Sequence, residues 1–163
     1  MQSAISLRPF TRSEYHHFYA HYMPDAVMMT EQYLYRRSYA DRCFDYECRQ
    51  QDWHPIFGIF LDEQDCIGAL SLKFADADSK TCEIGIILRD DTCKGHGYGT
   101  RAMQQGIALA REVYGIRHIY ADTSDANERM KHILVKLDFH LTARHVITLG
   151  MEPEANLLRY VLE

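Results

Sequence analysis

The stretch "CKGHGYGTRAMQQGIALAR" occupies Cys93 to Arg111, and three of its residues, Gly95, Gly97 and Gly99, alternate with a histidine and a tyrosine before a helical sequence begins. Glycine costs a helix about 1 kcal/mol against alanine, so three at a helix mouth need a reason. A helix N-terminus leaves its first N–H groups unpaired and carries a partial positive charge. Glycines let the backbone come close to a ligand and adopt positive φ. With Lys94 adding a charge, the stretch reads as a cradle for a pyrophosphate. Two familiar phosphate loops do not fit. Walker A places its lysine after the last glycine, whereas Lys94 precedes all three. The dinucleotide fingerprint needs G-x-G-x-x-G tight against a strand end. Here the spacing is G-x-G-x-G, and Arg89 to Lys94 separate strand from loop.

Downstream, Met103, Ile107, Ala110 and Tyr114 form one apolar helical stripe, and Gly115 supplies a stop. Upstream, the runs Ile56 to Leu61, Cys66 to Phe74 and Cys82 to Leu88 are separated by Asp62-Glu63-Gln64-Asp65 and Asp76-Ala77-Asp78-Ser79. Such short links force antiparallel pairing, so these three strands form a meander. Ala4 to Arg8 reads as a strand. Thr11-Arg12-Ser13-Glu14 fits a capping box opening a helix to about Tyr22. Ser38 to Asp41 caps a second helix ending near Gln51. Arg117 to Asp122 is a strand, Ala126 to Leu137 a helix, and Phe139 to Leu149 with Asn156 to Leu162 a closing hairpin. The fold class is therefore α/β (α+β): a mixed, mostly antiparallel sheet of about seven strands with helices on both faces. Without a repeat, low-complexity tract or Pro/Gly/Ser linker, residues 1–163 read as one domain.

Apolar residues make up 47% and charged residues 25% of the 163, an ordinary globular composition. A net charge of −5 argues against a broad nucleic-acid surface. No apolar run approaches the roughly 20 residues that span a bilayer, and MQSAISLRPF lacks a secretion signal's regions, so the expectation is a cytoplasmic protein with no membrane partner. Five scattered cysteines without a C-x-x-C pair argue against disulfides and thiolate zinc.

The loop Lys94-Gly95-His96-Gly97-Tyr98-Gly99 resembles the Q/R-x-x-G-x-G/A loop of the GNAT acetyltransferase superfamily, with lysine in the Q/R place. "CEIGIIL" (82–88) is similar to the family's fourth strand, and "IYADTSDANERMKHILVKLDFH" (119–140) to its fifth strand and following helix. The opening "ISLRPFTRSEY" resembles the branch that acetylates ribosomal-protein N-termini, spermidine and aminoglycosides. The resemblance implies acetyl-CoA as cosubstrate and no metal, and an acceptor that is a small-molecule amine or a peptide N-terminus. It implies that backbone groups of Ile87, Leu88 and Arg89 pair with the pantetheine arm, and that the amides of Lys94 to Gly99 hold the pyrophosphate. Asn127 matches a family asparagine near the pantetheine, and it is equally a good N-cap.

Acetyl transfer to an amine must remove a proton, stabilise an oxyanion and release a thiolate. The resemblance gives the proton to Glu83, in an apolar run that would raise its pKa; an exposed strand glutamate is the other reading. A backbone N–H near Ile87 or Leu88 would serve the oxyanion. The family's N-x-x-S-x-x-x-Y-x-K-x-G-F departs here at Met130, Leu134 and Asp138, while Lys136 and Phe139 are kept. Leucine donates no proton, which leaves Ser124, Tyr120 or solvent as the acid. It also leaves a second reading, a CoA-binding sensor without turnover. His17 and His21 sit at i, i+4, a metal pair or a solvated face. Tyr33, Tyr35, Tyr39, Phe18 and Tyr19 line an acceptor pocket, a core or a dimer surface. Asp25 and Glu31 could attract an amine. Exposed edges of the closing hairpin suggest a homodimer.

Overall fold

The computed structural model of the chain describes residues 3–25, 34–75, 78, 80–147 and 155–163. In order these form β1 (Ile5–Arg8), α1 (Arg12–His21), α2 (Arg37–Arg49), β2 (Ile56–Leu61), β3 (Asp65–Phe74) and β4 (Thr81–Leu88). A 3₁₀ turn over Asp91–Cys93 leads to α3 (Tyr98–Glu112), β5 (His118–Ser124), α4 (Glu128–Lys136), β6 (His140–Ile147) and β7 (Ala155–Leu162). One sheet runs β1-β2-β3-β4-β5-β7-β6. Every neighbouring pair is antiparallel except β4–β5.

The expected meander is β2–β3–β4, and the closing hairpin is β6–β7; its turn, with Met151 to Glu154, lies outside the described residues. Thr11 and Glu14 form the expected capping box at α1, and Arg8 reinforces it with paired bonds of 3.0 and 2.7 Å to the Glu14 carboxylate. The cap of α2 differs. Tyr39 and Ala40 amides both reach the Arg36 carbonyl, so the helix closes around Arg36 with no side-chain cap, and Ser38 lies inside the first turn. At the end of α4, Asp138 stands in the left-handed region at φ 65°. Its amide bonds Val135 and the next, of Phe139, bonds Leu134, the two reverse bonds of a Schellman ending. Aspartate tolerates this conformation better than most residues, which accounts for a chain that lacks glycine there.

Strand alternation splits the core in two. On one face Ile59, Leu70, Leu72, Ile84 and Ile119 pack with Ala102, Met103 and Ala110 of α3 and Leu134 of α4. On the other, Phe60, Cys66 and Ala69 pack beneath Phe18 of α1. A bulge at Ile59/Phe60 re-phases β3, so that Cys66 and Leu70, which strict alternation would put on one face, serve opposite faces. The α3 stripe is wider than its sequence period suggested, since Gly99, Ala102 and Gly106 are also buried. A Cβ on Gly106 would lie 2.7 Å from a Leu70 methyl, so α3 rests on the sheet at a distance only glycine allows. Gly106→Val should cost about 1–3 kcal/mol by overpacking, read from urea unfolding; an unchanged midpoint would refute this contact.

Candidate active site

The site begins where a ladder ends. β4 and β5 pair only at Thr81–His118, Cys82–Ile119 and Glu83–Tyr120, although β4 continues to Leu88 and β5 to Ser124. Beyond Glu83 the two strands part, and a cleft of 920 Å³ opens between them, of a size that suits a large organic ligand. The Arg89 amide bonds the Ile67 carbonyl of β3 at 2.8 Å. Antiparallel alternation then turns the backbone groups of odd-numbered β4 residues toward β3, and those of Ile84, Ile86 and Leu88 toward the cleft. Ile87 and Leu88 both line the cleft; the backbone of Ile87 faces β3, and the Arg89 carbonyl accepts the Met23 amide at 2.7 Å.

At the far end of the cleft stands the glycine loop. Gly95 and Gly97 take φ of 81° and 75°, and a Cβ on either would point into open space. Gly97 is the N-cap of α3, with no side chain bonded to the helix start. The first amides of α3 thus face outward uncapped. Lys94, Gly95, Gly97, Tyr98 and Gly99 line the cleft; the exposed His96 ring stacks beside Tyr98 instead. The Lys94 amide is drawn back to Asp91 within the 3₁₀ turn. Its ammonium bonds Asp91 at 2.7 Å and Asp25 at 3.1 Å. Arg129 of α4 joins the same Asp25 at 3.0 Å. Asp25, expected to attract an amine, therefore clasps two cations at the cleft mouth. Glu31 and Tyr33 lie outside the described residues.

Asn127 lines the cleft and caps α4, its side-chain oxygen accepting the Met130 amide at 3.1 Å. Leu134 is fully buried in the core, so a side chain there faces packing rather than the cleft. Ser124 accepts the Ala126 amide in the turn before α4.

Glu83 lines the cleft at the end opposite the loop, on the sheet face covered by α1. Burial first, and the nearby Asp122 carboxylate second, push its carboxyl above the usual range, against Lys73 and Arg159. Asp122 is held by Arg159 through bonds of 2.8 and 2.6 Å, and that guanidinium lies 4.4 Å from the Tyr120 ring. Tyr120, directly beside Glu83 in register, is likewise shifted up, by burial and then by Glu83. Tyr19, Tyr22, His54, Ser71, Asp122 and Thr123 also line the cleft. Burial and Lys73 lower the His54 pKa, which disfavours its charged form. Apart from Tyr19, none of these six was singled out for the site in the sequence. Ser71 reaches it by cross-strand pairing with Gly85, which no local pattern announces. His17 and His21 stack at 4.5 Å with His21 bonded to the His17 carbonyl. Among the described residues no three metal-ligating side chains gather.

The profile of the acetyltransferase (GNAT) domain matches residues 5–140. None of the curated proteins compared is significantly similar to the chain. Among solved structures, a chimera of Vibrio cholerae spermidine N-acetyltransferase SpeG with hSSAT superposes with a TM-score of 0.84 at 15% identity, over 99% of this chain and 95% of that one. RimL, a ribosomal L7/L12 α-N-protein acetyltransferase in complex with coenzyme A, gives 0.81 at 15% identity, over 97% and 93%. Vibrio cholerae spermidine N-acetyltransferase with CoA and spermine gives 0.78 at 13% identity, over 97% and 94%. At these identities the likeness is one of fold. No described helix is long and apolar enough to cross a membrane.

A carboxyl-carbon NMR titration of Glu83 should show a midpoint above the ordinary carboxylate range. Asp122→Asn should lower it, by removing a like charge and freeing Arg159. A midpoint that stays put would refute the coupling.

Proposed function

The chain belongs to the GNAT acetyltransferase family, and from that premise we propose that it moves an acetyl group from acetyl-CoA to a primary amine, held between β4 and β5. The observation that carries this reading is the early end of the β4–β5 ladder, with a glycine loop and an uncapped helix at its open end. Coenzyme A fits what is there: a long polar arm for the unpaired strand edge, and a diphosphate for the amides of a loop whose positive φ at Gly95 and Gly97 other residues rarely adopt. When bound, acetyl-CoA supplies a thioester whose carbonyl is open to an amine.

The chain's own residues do the rest. Amides from Gly95 to Gly99, aimed by α3, hold the diphosphate; Lys94 keeps its charge beside them. Backbone groups of Ile86 and Leu88 take the arm in the manner of a missing strand, and one of their amides faces the oxygen that gains charge. Glu83, with its raised pKa, accepts the ammonium proton through water at neutral pH. Asn127 keeps α4 in place at the cleft wall. With Leu134 in the core, no side chain at that place protonates the thiolate. A thiol pKa of about 8.5 makes an unprotonated leaving group acceptable, so turnover survives and a pure sensor role is not needed.

Two substitutions test the assignment separately. Gly97→Val should abolish CoA binding in calorimetry, because the φ of 75° and the approach to the diphosphate are both lost. Retained affinity would defeat the phosphate cradle. Glu83→Gln should leave CoA affinity unchanged and slow thiol release about 10²-fold or more at neutral pH. Equal rates would remove Glu83 from the chemistry. A panel of polyamines, aminoglycosides and peptide N-termini reads the acceptor class in the same assay.

A further inference from the structure

Helix α2 commits its acids to α1. Asp41 bonds Arg12 and His16, Asp45 pairs with Arg12, and Glu47 accepts the Tyr15 hydroxyl. Two of its arginines flank the Arg12-bound Asp45, at three and four positions. Arg42 and Arg49 are exposed and form no ion pair among the described residues. Tyr39 precedes them and Tyr46 stands between them, 59% and 53% exposed, so that Tyr39, Arg42, Tyr46 and Arg49 follow at steps of three, four and three along one ridge. Arg42 lies 5.8 Å from the Tyr39 ring. Trp53, 43% exposed, lies four residues past the helix end, while Asp52 sits near Tyr114. At the other end Arg36 and Arg37 occupy a helix start with no acid in its first turn, against the preference of the dipole. Helix stability does not ask for this arrangement. The composition, tyrosine, tryptophan and arginine, is that of interface anchors, and its charge is positive on a chain of net −5.

The chain runs from this helix to the cleft: Trp53 is followed directly by His54, which lines the cleft with Glu83. From Tyr39 to Arg49 the helix rises about 15 Å, which about five extended residues would cover.

We propose that this ridge docks an acidic stretch of a polypeptide acceptor whose N-terminal ammonium enters the cleft toward Glu83 and Asp122. This rests on the N-acetyltransferase reading and narrows its acceptor. Charge complementarity selects the occupant. A second copy in two-fold pairing would set these arginines against their own counterparts. A polyamine would meet Glu83 and Asp122 favourably but gain nothing on the ridge.

The test is peptide binding to CoA-saturated protein, by fluorescence anisotropy. Two peptides share a free N-terminus and a C-terminal dye; one continues with six glutamates and the other with six glutamines. The glutamate peptide should bind at least tenfold more tightly, with an advantage that falls as salt rises. Arg42→Glu/Arg49→Glu should erase that advantage and leave CoA affinity, thermal unfolding and glutamine-peptide binding unchanged. Equal affinity for the two peptides overturns the proposal, as does an advantage that survives charge reversal. So does an RNA oligonucleotide that outcompetes the glutamate peptide, or sedimentation showing self-association that the double substitution dissolves. Calorimetry of CoA alone reports separately on the transferase reading beneath it.

Discussion

Three paired residues decide what this sheet can do. β4 and β5 hold together at Thr81 to Glu83 and then part, while the outer edge of each strand stays fully paired, β4 with β3 and β5 with β7. An unpaired backbone edge buried in a protein is costly unless something else bonds to it. Here it faces an open cleft instead, and the same divergence makes room for the ligand that would satisfy it. Everything chemical lies along this gap, the glycine loop at one end and Glu83 at the other.

The two ends are electrostatically distinct. At the loop, Lys94 and Arg129 meet Asp25 and Asp91, so cations are held in place before any phosphate arrives. At the other end, Glu83 lies near Asp122, and Arg159 bonds Asp122 directly while only opposing the rise at Glu83. One carboxylate is fixed and the other made more basic, a division of labour that suits an amine losing its proton.

Much of this was legible in the chain. The loop, the meander, the α3 stripe and the capping box all follow from local spacing, and the loop's resemblance led to the family. What local spacing could not give was parity. Whether Ile86 or Ile87 turns its amide to the cleft depends on the register of β3 against β4, set by distant residues. His54, Ser71 and Asp122 arrive at the site by the same long-range route. Asp25 reads in the sequence as a loop acid that could attract an amine; its partners lie 69 and 104 positions away. Asp138 departs from the family's glycine, yet takes the same left-handed turn.

The short seam between β4 and β5 also means that the sheet is two leaves, β1 to β4 and β5 to β7, stitched at one margin and otherwise joined through the helices. A molecule lying in the gap would touch the bare edges of both. Cosubstrate binding is then continuous with folding: whatever occupies the cleft contributes its binding free energy to the cohesion of the two halves, and the loaded protein differs from the empty one in how firmly its leaves are held as much as in what it can catalyse.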